Sequence, residues 1–238
     1  MNSKDENVTD SSKYVSSIST SFFHSIARLC ESLLHCIERN AVACFNEISP
    51  RHDENAYCIS ICILAVASVE SAILRTCHIE EGPEFNSNKP FFWLAEKLPR
   101  EKNKINELAF IRGSLLHNHL YEMEQVWKDD KPTIQNIQKR PASGDNKYDQ
   151  NVNSCTHKTI QLGINTIPTQ VRLADVILVL CAVTDLLFAL EDRSKGKLAF
   201  RSVRVELNST RSLTILDLIN TLRSRLETYD PVYKNTDQ

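Results

Sequence analysis

Glycine and proline are scarce in this chain, with 5 and 8 among 238 residues. Few positions therefore break the backbone, and the composition favours long helices. No two of the 8 cysteines stand in a CxxC pair, which removes the common spacing signature of zinc and thiol–disulfide sites. Most of them fall on apolar segments of helical period, where a thiol acts as a small buried hydrophobe. An excess of positive charge is missing too, since the formal net charge is -2. That balance disfavours tight non-specific binding to nucleic acid but leaves room for a local basic patch. Clean apolar runs of about 20 residues are also absent: Tyr57 to Val69 is short and stopped by Glu70, and Val171 to Leu190 contains Arg172, Asp175 and Asp185. Both segments read as core helices, and no membrane partner is expected. The polar start, MNSKDENVTDSSK, resembles neither a secretory nor a transit segment. With reduced thiols, it points to a cytoplasmic protein.

A hydrophobic content of 42% and a charged content of 24% are ordinary for a globular chain long enough to bury a sizeable core. The reading is a tail over 1–12 and a single domain over 13–238, mainly α, with a small β-hairpin or sheet element in the C-terminal half. Phe22, Ile26, Leu29, Leu33, Cys36, Ile37 and Cys44 recur at three- and four-residue steps, which predicts one helix from about Ser12 to Ile48, ended by Ser49-Pro50. Asp53 suits the N-cap of a second helix, from Glu54 to His78, that is apolar nearly all round. A short helix, Phe91 to Leu98, precedes Pro99, and a longer one spans Lys102 to Trp127. The polar stretch 128–153 reads as a loop insertion. Alternation over 157–169 suggests a hairpin turning near Gly163, with Leu198 to Leu207 as a strand that pairs with it. Helices are expected over 171–192 and 209–229, the last stopped by Pro231.

The segment IRGSLLHNHLYE, Ile111 to Glu122, carries the chemistry. Arg112 is separated from His117 by four residues and from His119 by six. RNA brings its own nucleophile, the 2'-hydroxyl. Its cleavage needs a group to accept that proton, a group to protonate the departing 5'-oxygen, and positive charge at the phosphorane. Histidine titrates near neutrality and suits the first two tasks. Arginine stays charged and matches phosphate in a fork. On a continuous helix Arg112 and His119 align about two turns apart, while His117 lies about 140° round from Arg112. A groove between helices or between subunits would use all three. His24, His35, His52, His78 and His157 show no metal-ligand spacing, so neither metal nor cofactor is expected.

NELAFIRGSLLHNHLYE resembles the signature helix of the HEPN superfamily, whose pattern is an arginine, four to six residues and a histidine, commonly R-N-x-x-x-H. The resemblance covers about Asp53 to Glu122, including the helix that ends in VESAIL and carries an acid, here Glu70. It implies a helical, HEPN-like bundle, a homodimer, and metal-independent endoribonuclease activity in antiviral defence or toxin–antitoxin systems, with an antitoxin or defence-system protein as partner. Arg112 would stabilise the phosphorane, His117 (or His119) would act as acid–base, and Asn118 and Glu70 would orient them. In one toxin group a tyrosine two residues past the motif histidine is adenylylated by a partner nucleotidyltransferase; His119-Leu120-Tyr121 has that spacing. The chain departs from the family at Gly113, where a polar residue, frequently asparagine, is usual.

Basic residues gather at Lys97, Arg100, Lys102 and Lys104 and again between Arg193 and Arg225. Placed beside Arg112, groups such as Lys102, Lys104, Arg201 and Arg204 would guide an RNA backbone; otherwise they are a solvated face. The rival reading keeps the dimer without catalysis, as a module binding RNA, a nucleotide or a protein partner, and Gly113 favours it. A helical scaffold that touches no nucleic acid would follow if the basic groups lay far from Arg112.

Overall fold

Apolar residues at helical steps build the two longest N-terminal elements and make them pack. In a computed structural model, described over residues 19–42, 51–82, 89–116, 121–128, 131–139, 146–194, 197–207 and 211–234, helix α1 spans Ser19–Val42 and α2 spans Arg51–Glu81. Phe23, Ile26, Cys30, Leu33 and Ile37 of α1 are buried with Cys58, Ile61, Cys62, Ala65, Val69 and Ile73 of α2. The recurrence of alanine and cysteine along this seam lets the helices approach closely. Burial raises the thiol pKa values there: Cys30 is pushed up to about 12, and Cys58 and Cys62 are also raised.

Helix α6, Leu173–Arg193, lies against α2. Asp175 starts it, accepting the backbone N–H of Arg172 at 2.8 Å and that of Asn165 at 2.8 Å. The Asn55 side-chain amide donates to the Val171 carbonyl at 2.8 Å, tying the first turns of α2 to this start. Helix α3, Pro90–Lys97, and helix α4, Lys102–Leu116, cover a further side of α2. Helix α7, Ile215–Lys234, packs on α6 and α1. Thr214 and Asp217 cap it reciprocally: the Thr214 hydroxyl accepts the Asp217 N–H at 3.1 Å, and the Asp217 carboxylate accepts the Thr214 N–H at 3.0 Å. One apolar cluster runs through α1, α2, α3, α4, α6 and α7. Helices α2 and α6 are long and apolar enough to cross a membrane, and half and two thirds of their most apolar windows are buried inside this bundle.

The architecture is mainly α with small antiparallel β elements, as the sequence indicates. Strands β1, Tyr121–Lys128, and β2, Lys131–Lys139, form one ladder. Next come helix α5, Asn146–Asn151, and the two-residue strands β3, Val152–Asn153, and β4, Lys158–Thr159. Strands β5, Arg204–Leu207, and β6, Arg211–Thr214, form a third ladder beside α1.

Several expectations need correction. The helix beginning at Lys102 ends at Leu116 among the described residues and does not reach Trp127; Tyr121–Lys128 is a strand, because YEMEQVWK pairs with KPTIQNIQK. The supposed loop over 128–153 therefore contains β2 and α5. Asp53 is not a cap but lies in the first turn of α2, where its carboxylate meets Arg39 at 3.3 Å. The turn at Gly163 exists, with φ of +69° and the Gly163 N–H donating to the Thr159 carbonyl at 3.0 Å. The hairpin expected over 157–169 is reduced to β4 and a single bridge from Lys158 to Asn165. The 198–207 segment pairs with β6 and not with that turn. Helix α7 starts after β6 and continues past Pro231. The tail 1–12 and the ends of the long first helix, 13–18 and 43–48, lie outside the described residues.

Candidate functional site

Three contacts fix α4 and so place Arg112. Ile105, Leu108, Ile111 and Leu115 enter the core. On one flank, Arg112 Nη1 lies 2.8 Å from Glu70 Oε2 on α2. The two side chains are 39% and 25% exposed, so this pair is open to solvent. Glu70, between Val69 and Ser71 on an apolar helix, thus finds its cation in Arg112 on α4. Among the described residues it is the acid that Arg112 meets. The other flank is anchored by Glu107, only 2% exposed, whose carboxylate accepts the N–H groups of Gln161 and Leu162 at 2.7 and 2.8 Å. One turn on, the Phe110 ring meets Tyr148 edge-on at 5.9 Å, and the Tyr148 hydroxyl lies 3.2 Å from His157 Nδ1. His157 adopts a left-handed backbone with φ of 52°.

The side chain at Gly113 would meet nothing: a Cβ built there has no atom within 4 Å. A larger residue at this position therefore meets no steric obstacle at its Cβ. His117, Asn118 and His119 lie outside the described residues, and Tyr121 is the first residue of β1.

Acids pair with much of the basic material. Arg193 forms a two-pronged bond with Glu80 at 3.0 and 2.8 Å. Arg201 does the same with Asp192 at 2.7 and 3.0 Å, and its guanidinium lies 4.7 Å from the Phe188 ring. Arg225 meets Glu38 at 3.5 Å, and Arg223 donates to the Cys181 sulfur at 2.9 Å. Lys104 pairs with Glu101 at 2.9 Å, a hydrogen bond that raises its pKa. Lys102 and Arg204 are exposed. Location matters as much as pairing. Glu80 follows Glu70 by ten residues on α2, so the Arg193–Glu80 pair lies about 15 Å along the helix from the Glu70–Arg112 pair. Lys102 and Lys104 precede Arg112 by ten and eight residues on α4, about 15 and 12 Å away.

Sequence reasoning missed Glu107 and the Tyr148–His157 bond. Glu107 carries a faint signal, an acid between Ile105 and Leu108 on the inward side of a helix. The partners of Tyr148 arise from tertiary packing and have no local signature. Among the described residues, no group of three or more His, Cys, Asp or Glu side chains is arranged to share a metal ion. Comparisons of the chain with protein-family models, with curated proteins and with solved structures gave no match.

Proposed function

We propose that this chain is a HEPN-type, metal-independent endoribonuclease acting in the cytoplasm as a homodimer, within antiviral defence or a toxin–antitoxin pair. The observation that carries the reading is the Arg112 guanidinium. It is held at one nitrogen by Glu70 on a rigid helix, with 39% of the side chain exposed, five residues before His117 and seven before His119.

In the reaction, one histidine accepts the 2'-hydroxyl proton as that oxygen attacks phosphorus. Arg112 offers its fork to the phosphorane oxygens, where a preorganised cation is most effective. A protonated histidine donates to the departing 5'-oxygen. The products are a 2',3'-cyclic phosphate and a 5'-hydroxyl, and no water is consumed. Glu70 keeps Arg112 in place, and Asn118 orients the acid–base group. Tyr121 is the candidate for modification by a partner nucleotidyltransferase.

Cleavage of total RNA in EDTA tests this reading. Wild-type protein should give discrete fragments with cyclic phosphate ends, and Arg112→Ala and His117→Ala should abolish them with the helical circular dichroism unchanged. Undiminished cleavage by the double variant overturns the proposal. The second reading, a non-catalytic dimeric module for RNA, a nucleotide or a protein, is favoured by the ion pairs of Lys104, Arg193, Arg201 and Arg225, by the distance of about 15 and 12 Å along α4 from Lys102 and Lys104 to Arg112, and by the lack of a polar side chain at position 113. The same remoteness suits a scaffold that binds no nucleic acid. Binding of labelled RNA without cleavage would select the module.

A further inference from the structure

The open face of α2 carries a second arginine close to the Glu70–Arg112 pair. Val69, Ala72, Ile73, Thr76 and Cys77 are buried in the bundle, whereas Glu70, Arg75 and His78 are half-buried and Leu74 is exposed. At 100° per residue, Leu74 lies about 40° round the helix from Glu70, His78 about 80° and Arg75 about 140°. Glu70 therefore stands at one edge of this face and Arg75 toward the other. Arg112 of α4 meets the Glu70 edge.

Arg75 follows Glu70 by about 7.5 Å along the axis, which with the turn of the helix puts their Cα atoms about 9 Å apart. In a single strand that rises about 3.4 Å per nucleotide, phosphates about two or three steps apart match this spacing. Leu74, 45% exposed, lies between the two edges and presents apolar surface to whatever crosses the face.

Several other cations near this end of the bundle have an acid. Glu80 holds Arg193, Glu81 holds Lys97 and Glu101 holds Lys104. Arg75 is half-buried as well, yet among the described residues it meets no acid. The carboxylates near it on α2 are taken: Glu70 by Arg112, and Glu80 and Glu81 by Arg193 and Lys97. A partly desolvated guanidinium without a counter-ion is at a disadvantage that an incoming anion removes. Since each of those carboxylates is paired, the repulsion an arriving phosphate meets on this face is small.

We propose that Arg75 is a positioning residue for RNA. Its guanidinium holds a phosphate flanking the one at Arg112, so that the strand crosses the open face of α2 over Leu74. No bond forms or breaks at Arg75; it fixes the register in which the scissile phosphate reaches Arg112. The assignment rests on the nuclease reading above for what lies at Arg112, and it adds an anchor on α2 outside the motif helix.

The test uses the full chain and a fluorescein-labelled single-stranded RNA. Cleavage in EDTA gives kcat and KM, and binding to His117→Ala protein, which leaves the RNA intact, gives Kd between about 50 and 200 mM salt. Arg75→Ala should raise KM and Kd about tenfold, the loss of one charge-assisted contact, with kcat within about twofold and the helical circular dichroism unchanged. It should also lower the slope of log Kd against log salt by about 0.7, one phosphate contact on a single strand. Arg75→Lys keeps the charge and should restore that slope, which a merely structural role would not do. Arg39→Ala removes a charge at the start of α2, where Arg39 meets Asp53, and should change neither KM nor slope. An unchanged slope in Arg75→Ala overturns the proposal, as does a slope that Arg75→Lys fails to restore or that Arg39→Ala lowers equally. If Arg112→Ala still abolishes cleavage in that case, the nuclease stands without this anchor. If wild-type protein cleaves nothing, the nuclease reading falls, and the slope alone decides whether Arg75 holds RNA.

Discussion

Replacing Glu107 with alanine should be the most costly single polar change in the region around Arg112. Its carboxylate is 2% exposed and accepts two backbone N–H groups across a sequence separation of 54 and 55 residues. Hydrogen bonds to a charged group contribute about 1.5–3 kcal/mol each, and an N–H left without a partner costs about 1–3 kcal/mol. Gln161 is exposed and Leu162 partly so, so water recovers part of that loss. The balance is about 3 kcal/mol for Glu107→Ala. Glu107→Gln keeps one acceptor oxygen and turns an amide donor toward the second N–H, for about 2 kcal/mol. Urea unfolding followed by circular dichroism measures both. Because the bond holds the helix that carries Arg112, under the nuclease reading the alanine variant should also lose RNA cleavage at temperatures where the bundle is still folded. A loss below about 0.5 kcal/mol, the usual range of a surface substitution, would refute the claim that this carboxylate anchors α4.

Gly113→Ala meets no atom within 4 Å and lies inside α4, so it should raise stability by about 0.5–1 kcal/mol, read as a higher unfolding midpoint. Gly113→Asn meets no steric obstacle at its Cβ either, and under the nuclease reading it should raise the cleavage rate over wild type. Hydrogen bonds from Lys97 and Trp93 lower the pKa of Glu81 from its usual 4.5, and one from Arg201 lowers that of Asp192 from 3.8. For depressed carboxylates the stabilisation is present above these values and lost as pH falls through the lower folded ones. Acid titrations of Glu81→Gln and Asp192→Asn should therefore show a shallower loss of stability below pH 4.5 than wild type. Among the cysteines of the described residues, native labelling with a thiol reagent at neutral pH should modify the exposed Cys155 first, with Cys30, Cys58 and Cys62 modified only after denaturant is added.

The helices α1, α2, α3 and α6 are legible in the sequence because their apolar residues step by three and four, and Pro99 lies close to where α3 stops. The helix carrying Arg112 was legible at its start and wrong at its end. Tyr121, Met123, Val126 and Trp127 satisfy a helical stripe about as well as an alternating one, and only the partner strand over 131–139 decides between them. The Glu70–Arg112 pair was within reach, since an acid on an apolar helix must find a cation. The ion pairs of Arg193, Arg201 and Arg225 were not. Arg193 meets Glu80 at a separation of 113 residues, and Arg225 meets Glu38 across most of the chain. A run of basic residues read along the sequence says nothing of acids that arrive from elsewhere in the fold.

The thiol-lined seam between α1 and α2 also governs how this protein survives unfolding. Cys30, Cys58, Cys62 and Cys77 are buried thiols outside any disulfide in the native state, their ionisation held back by desolvation. Each recovers ordinary thiol acidity once the helices part. In air, an opened chain then accumulates disulfides that the close-packed seam has no room to accommodate, and refolding is blocked. Reversible unfolding is therefore a property of the chain together with a reductant, and without one its stability becomes a rate of loss instead of an equilibrium.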